Sequence, residues 1–319
     1  MLKGLRLPSL PPLTVHARAS TPPPRGGVRA WAQIQPTFTP EQARAWVQSD
    51  SRRMLHAVYR VGDLDATLAF YRDHLGMQLL RSRAVPSEGY SNAFLGYGPE
   101  STHFAVELTK NDGVDAYDLG EGFGHFGVAV SSAAAVCESI EADATTRGKV
   151  TRPAGPVKGG QTVIAFVKDP TGYAFELIER AEVGPEPLCQ VMLRVGDLEK
   201  SMRFYEEVVG MKALRTRDNE AYQYTLGFMG YGPEETSTVM ELTYNYDKSE
   251  YTKGNGYAQV AISTSDVYQT AAAVEALGGT VTRAPGPVPG IGTKICACID
   301  PDGWKIVFVD NDDFLAELE

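Results

Sequence analysis

Apolar and polar residues along this chain follow one fixed order that recurs four times. "MLHAVYRV" at 54–61 has the pattern of a strand. Asp63 then offers an N-cap to a helix whose apolar residues Leu64, Leu68, Tyr71 and Leu75 fall at helical spacing, with Gly76 at its end. Three β-patterned runs follow near 77–84, 91–97 and 103–110, punctuated by Pro86, Gly89 and the pair Gly98-Pro99. The order then repeats, with a strand at 124–130, a helix near 132–146 and strands near 149–152, 162–167 and 173–179. These two βαβββ units make a first half. The second half repeats both, so the pattern predicts an α+β chain of four units. A short amphipathic helix is expected at 41–53, and 184–189, with Pro185 and Pro187, reads as a linker.

Literal repeats support the same division. "RVGDL" stands at 60–64 and 194–198, "GYGPE" at 96–100 and 230–234, and "ELT" at 107–109 and 241–243, each pair offset by 134. Beyond the helices the offset falls to 131, with "GPV" at 155–157 and 286–288 and DPxG at 169–172 and 300–303. The first copy therefore carries three extra residues near Ala144 to Lys149. Copies of this length indicate a duplicated domain, with domains expected at 51–183 and 184–319 and a pseudo-twofold body, and do not indicate a solenoid of shorter repeats.

Composition changes the picture in two places. Before the first acidic residue, Glu41, the chain carries Lys3, Arg6, Arg18, Arg25 and Arg29 among Ser, Pro, Thr and Ala, so residues 1–50 read as a transit-peptide-like or disordered segment followed by the short helix. A chloroplast or mitochondrial address is the expectation, with a cytoplasmic location otherwise. Without residues 1–50 the chain keeps 24 basic and 38 acidic residues, a net charge of −14, which disfavours nucleic acid and anionic membrane as partners. No apolar run approaches the roughly 18 residues of a membrane span, so a soluble protein is expected. Four cysteines are too few for a disulfide scaffold, and Cys296-Ala297-Cys298 reads as inert packing in a strand.

Chemistry enters through the strands. Alternate residues share a face, so His56 goes with Arg60, Glu107 with Asn111, Gln190 with Arg194, and Glu241 with Asn245. "AVELT", "VMELT" and "AFELIE" each set a Glu (Glu107, Glu241, Glu176) among apolar neighbours, where an unpaired charge is costly. A lone strand His is usually a hydrogen-bonded core residue, and a lone Glu can simply face solvent. That reading has to be invoked separately for His56, Glu107, His125 and Glu176, whereas one divalent metal accounts for all of them.

The strings "MLHAVYRVGDLDATLAFYRDHLGMQLLR", "FLGYGPE", "VELT", "GFGHFGVAV", "GPVKGGQTVIAFVKDPTGYAFELIE" and "CQVMLRVGDLEKSMRFYEEVVGMKALRTRDNE" resemble the fused two-domain glyoxalase I (lactoylglutathione lyase) family of plants and algae, in the vicinal-oxygen-chelate superfamily. The resemblance covers 52–319 and implies two glyoxalase domains arranged as a pseudo-dimer. It implies metal ligands from the first and last strand of each unit, here His56 and Glu107, His125 and Glu176, Gln190 and Glu241, then Gln259 and Val307. Single-domain relatives build each site from two subunits. By that pattern Gln190 and Glu241 join His125 and Glu176, while His56 and Glu107 face Gln259 and Val307. The second set has lost a carboxylate at Val307 and is expected to be a degenerate site. For glutathione the resemblance implies Arg194, Asn245, Arg152 and Lys158 in the complete site. In the other site Arg60, Asn111 and Arg283 remain, and Pro289 replaces the lysine.

The activity implied is isomerisation of the methylglyoxal–glutathione hemithioacetal to S-lactoylglutathione through an enediolate, with Glu176 as base and Glu241 as ligand and proton carrier. The cofactor implied is one divalent metal, with Ni²⁺ favoured and Zn²⁺, Co²⁺ or Mn²⁺ open. A monomer is expected, because the two copies supply one another's interface. The rival readings are an extradiol dioxygenase, which would need a second histidine ligand, and a metal-free ligand-sequestering module, which would not need Glu176 and Glu241.

Overall fold

The computed structural model describes residues 36–157 and 160–319. Residues 1–35 of the segment expected to carry the address (1–40), and Lys158, lie outside the described residues.

Unit one contains β1 (Met54–Arg60), β2 (Gln78–Val85), β3 (Tyr90–Gly96) and β4 (Ala105–Asn111). Unit two contains β5 (Phe123–Val130), β6 (Lys149–Pro156), β7 (Val163–Lys168) and β8 (Ala174–Glu179). Unit three contains β9 (Leu188–Arg194), β10 (Lys212–Asn219), β11 (Tyr224–Gly230) and β12 (Val239–Asn245). Unit four contains β13 (Tyr257–Thr264), β14 (Thr280–Pro287), β15 (Lys294–Ile299) and β16 (Lys305–Asp310). A first helix, α1 (Pro40–Ser49), precedes them, and each unit has one helix after its first strand: α2 (Leu64–Asp73), α3 (Ala133–Ala142), α4 (Leu198–Glu207) and α5 (Val267–Ala276). A last helix, α6 (Asn311–Glu317), follows β16. The pattern along the sequence gave no separate signal for it.

Elements begin where local chemistry directs. The Asp63 carboxylate accepts the Ala66 N–H to start α2, and Ser132, Asp197 and Asp266 cap α3, α4 and α5 in the same way. Helix α1 opens with a capping box between Thr39 and Gln42 and ends at Ser49, short of the expected 53. Asp50 leaves the helix because its carboxylate is committed to Arg52, Thr264 and Ser265. Helix α3 stops at Ala142 because Asp143 turns out of the helix and accepts the Thr145 N–H. The loop from α3 to β6 is 143–148 and that from α5 to β14 is 277–279, so the three-residue insertion sits there.

The two eight-stranded sheets do not follow the copies. One runs β14-β15-β16-β13-β1-β4-β3-β2, uniting units four and one; the other runs β10-β11-β12-β9-β5-β8-β7-β6, uniting units three and two. The seam in each is an antiparallel ladder, β1 with β13 and β5 with β9, while the first and last strands within each unit pair in parallel.

Aromatic side chains join one sheet to the other. Tyr59 of β1 meets Phe126 of β5 at 4.9 Å between ring centroids, and Phe123 of β5 stacks on Tyr257 of β13 at 5.0 Å. The DPxG turns secure the same layer. Asp169 accepts the backbone N–H groups of Thr171, Gly172 and Tyr173 and also the Tyr71 hydroxyl from α2, at 2.8 Å. Asp300 repeats this with Trp304 and with Tyr205 of α4.

Helix α6 breaks the pseudo-symmetry. Its Phe314, 1% exposed, packs with Leu55, Ala261, Ala297, Val307 and Val309 on the face of the β1–β13 sheet. The matching stretch after β8 is the prolyl linker, which must carry the chain on to β9 and cannot fold back. Truncating a fully buried Phe removes its transfer free energy and leaves a cavity, so Phe314→Ala should cost roughly 3–5 kcal/mol. Leu315→Ala, at a 37% exposed position of the same helix, should stay within about 0.5 kcal/mol. Urea unfolding of the two variants measures the difference.

Candidate metal centre

The seam ladder between β5 and β9 decides which side chains meet. His125 pairs with Met192 and Gly127 with Gln190; β8 sets Glu176 beside Gly127, and β12 sets Val239 beside Gln190. Alternation then sends His125, Glu176, Gln190 and Glu241 to one face. His125 Nε2 lies 3.2 Å from Glu176 Oε2 and 3.9 Å from Glu241 Oε2. Donor atoms of these three residues all lie within 4.8 Å of one another, and among the described residues they form the one such cluster of His, Cys, Asp and Glu.

Two buried atoms in this group are orphans. Neither His125 Nε2 nor Gln190 Oε1 has a hydrogen bond of sound geometry, and a buried polar atom without a partner costs about 1–3 kcal/mol. Both are nitrogen or oxygen lone-pair donors pointed into the same cluster, so the residues fit a divalent ion. The electrostatics agree. Burial alone would lower the His125 imidazole, but contact with Glu176 and the charge of Glu241 more than offset it and hold its pKa above the ordinary value. Burial pushes the Glu241 carboxyl up to about 7, against the opposing influence of His125.

A glycine makes room for the amide ligand. A methyl group on Gly127 would stand 2.7 Å from the Cβ of Gln190, a distance at which one side must move. In unit four the matching residue is Ala261, which packs in the apolar cluster around Phe314.

The sites implied in the other sheet are assembled differently. His56 Nε2 meets Glu107 Oε2 at 3.3 Å, and Asn92 donates to the same Glu. Burial, with Arg81 adding to it, drives the His56 pKa down to about 3, so the imidazole is neutral; burial pushes the Glu107 carboxyl up to about 7. Val307 is buried, Gln259 is half-buried, and the Phe314 ring stands 6.2 Å from the His56 ring. Among the described residues no third His, Cys, Asp or Glu joins this pair.

The cleft around His125 has a volume of about 740 Å³, within the range of small-molecule sites. Its lining follows the two-residue period of the strands: Gln190, Met192 and Arg194; Glu241, Thr243 and Asn245; Glu176 and Ile178. Arg194 is held by the carbonyls of Glu121 and Phe123, Asn245 donates to Tyr251, and Arg152, also on the cleft wall, donates to the carbonyls of Ile164 and Pro156. In the other sheet Arg60 donates to the Asn255 carbonyl, Asn111 to Tyr117 and Arg283 to the Pro287 carbonyl. Arg215, Arg217 and Thr162 also line the cleft and were not read from the sequence. A signal for the arginines was present, because Arg81-Ser82-Arg83 recurs as Arg215-Thr216-Arg217 at the 134 offset.

A profile described as the Glyoxalase/Bleomycin resistance protein/Dioxygenase superfamily matches residues 53–177 and 188–308, and the chain belongs to that superfamily. Within it, the chain is similar to an Arabidopsis thaliana protein named "Probable lactoylglutathione lyase, chloroplastic", with 60% identity over 92% of this chain and 83% of that one. It is also 58% identical to the lactoylglutathione lyase of Oryza sativa subsp. japonica, over 88% of this chain and 97% of the other. The crystal structure of glyoxalase I from Zea mays superposes with a TM-score of 0.82 at 61% identity, covering 86% of this chain and 97% of that one.

Glycine at 127 should matter through Gln190. Gly127→Ala should weaken divalent-metal binding by roughly 10–100-fold, the range for loss of support to a ligand. Gly155→Ala, with open space around the added methyl, should not. Calorimetric titration of the metal-stripped protein compares them.

Proposed function

We propose that this chain isomerises the hemithioacetal of glutathione and methylglyoxal to S-lactoylglutathione in the cleft of the β5–β9 sheet, with His125, Glu176, Gln190 and Glu241 holding one divalent metal. The observation that carries the reading is the convergence of two carboxylates, a histidine and an unpartnered amide oxygen at the floor of a cleft. The relatives named as lactoylglutathione lyases supply the reaction class.

A bound divalent ion supplies Lewis acidity that stabilises negative charge developing on the adjacent oxygens of the substrate. The chain supplies the rest. Glu176 takes the proton from C1 of the hemithioacetal and the same proton is returned to C2, while the C1 hydroxyl proton passes to the C2 oxygen, so C1 becomes the thioester carbonyl, C2 becomes the carbinol and the step is redox-neutral overall. Glu241 stands across the cluster from Glu176, on the side where a second carboxylate can receive or pass the proton. Arg194, Asn245 and Arg152 line the walls and, with Lys158, bind the peptide; guanidinium groups suit its carboxylates. Phe166, whose ring stands 5.5 Å from His125, and Met192 restrict water around the cluster.

Nitrogen and oxygen donors without a thiolate suit Ni²⁺, and equally admit Zn²⁺, Co²⁺ or Mn²⁺. We read the chain as a monomer, since both halves of each sheet come from one chain. The basic composition of residues 1–40 and the chloroplastic relative support an organelle address.

The test is formation of S-lactoylglutathione in the ultraviolet. Stripping the metal should abolish it, and a single added divalent ion should restore it. Glu176→Gln should lower kcat by roughly 10²–10⁴-fold, the usual worth of a general base, while Glu107→Gln should leave turnover unchanged. Full turnover by the metal-free protein, or by Glu176→Gln, contradicts this assignment. Binding of substrate without turnover under any metal favours a sequestering module.

A further inference from the structure

The two clefts differ in what covers them, and the covered one holds a charged group of the chain itself. Glu317 of α6 reaches over the β1–β13 sheet, where its Oε1 accepts from Arg81 Nη1 at 2.9 Å and from Arg83 Nη1 at 2.7 Å. Its Oε2 accepts from the Thr293 hydroxyl at 2.8 Å. Three donors from two separate parts of the sheet thus converge on one carboxylate.

The same donors stand in the open cleft. Residues 81 and 83 correspond to Arg215 and Arg217 at the 134 offset, and Thr293 corresponds to Thr162 at the 131 offset. All three line the 740 Å³ cleft. The supports are duplicated too. Arg81 Nε meets Glu100 at 2.6 Å with its guanidinium 3.6 Å above Phe94; Arg215 Nε meets Glu234 at 2.7 Å with its guanidinium 3.5 Å above Phe228. In each sheet the first arginine is fixed by a glutamate of "GYGPE" and by an aromatic ring, leaving its Nη1 free to turn into the cleft.

What is missing from the open cleft is the counterpart of Glu317. The chain after β8 is the linker to β9, so no helix folds back there. Among the described residues Arg215 is paired with Glu234 alone, and Arg217 makes no ion pair. Arg215 is exposed beyond its contact with Glu234 and Arg217 is half-buried on the cleft wall, and guanidinium pairs with carboxylate in the geometry that Glu317 displays.

We propose that Arg217, with Arg215 and Thr162, forms a carboxylate subsite that binds one of the two carboxylates of the glutathione portion of the substrate, as the matching residues bind Glu317. The subsite rests on the glutathione reading above. Arg215 and Arg217 lie on β10, three strands from Arg194 on β9 in the order β10-β11-β12-β9, which at the usual strand spacing is about 14 Å. That separation suits groups holding opposite ends of an extended tripeptide. Arg217 is thereby a specificity residue that positions substrate and stays away from the reacting carbons.

Steady-state kinetics of the metal-loaded enzyme test this, with hemithioacetals of glutathione, of its glycine amide, and of an analogue lacking the γ-glutamyl α-carboxylate. Wild type should discriminate roughly tenfold or more in KM against one of the two analogues, about the worth of a charge-assisted contact. Arg217→Gln should raise KM for glutathione by a similar factor with kcat little changed, and should lose that discrimination, while Arg217→Lys recovers part of it. The analogue whose penalty disappears identifies the carboxylate. Retained discrimination in Arg217→Gln, or none in wild type, overturns the subsite. Failure of wild type to turn over the glutathione adduct would instead overturn the reading it rests on.

Discussion

The antiparallel ladder between β5 and β9 is the contact on which the site depends. It joins unit two to unit three across the copy boundary and fixes His125 opposite Met192 and Gly127 opposite Gln190. A slip of one residue would turn every ligand side chain to the other face, so the ladder register and the ligand set are one specification. The β1–β13 ladder applies the same rule to the other two units. Two sheets, each half from either copy, are held together by the aromatic layer around Tyr59, Phe126 and Tyr257 and by the aspartates of the DPxG turns.

From this common frame the two clefts have diverged by a handful of side chains. Gly127 leaves room for the Gln190 amide, whereas Ala261 packs against Phe314. Glu176 offers a carboxylate where Val307 offers two methyl groups. Once the carboxylate is lost, apolar packing becomes the stable use of the site, and α6 provides it, with Phe314 over the floor and Glu317 across the arginine pair. The burial that would weaken an ion site there strengthens a core. His56 is held neutral beside Glu107, and Asn92 donates to that carboxyl group.

Much of this was legible in the sequence because it is repeated or local. The order of strands and helices, the capping aspartates, the three-residue insertion and the His125/Gln259 and Glu176/Val307 contrasts can each be read within a few residues or by matching the copies. What could not be read is long-range and unrepeated. Helix α6 has no counterpart, since the matching residues form a prolyl linker, so comparison of the copies gives no warning of it. The arginine pairs were present as a repeat, but their meaning depends on a carboxylate more than 230 residues away in the chain. The early end of α1 is similar, because Asp50 is drawn out of the helix by partners near residue 264.

The central claim is that one cleft of the two is a metal centre and that it is shared between the copies. The most direct measurement is the divalent-metal content of the purified chain, by elemental mass spectrometry, for wild type, His125→Ala and His56→Ala. The account predicts one ion per chain in wild type and in His56→Ala, and none in His125→Ala. Two ions per chain, or loss of the ion with His56→Ala while His125→Ala retains it, would contradict it.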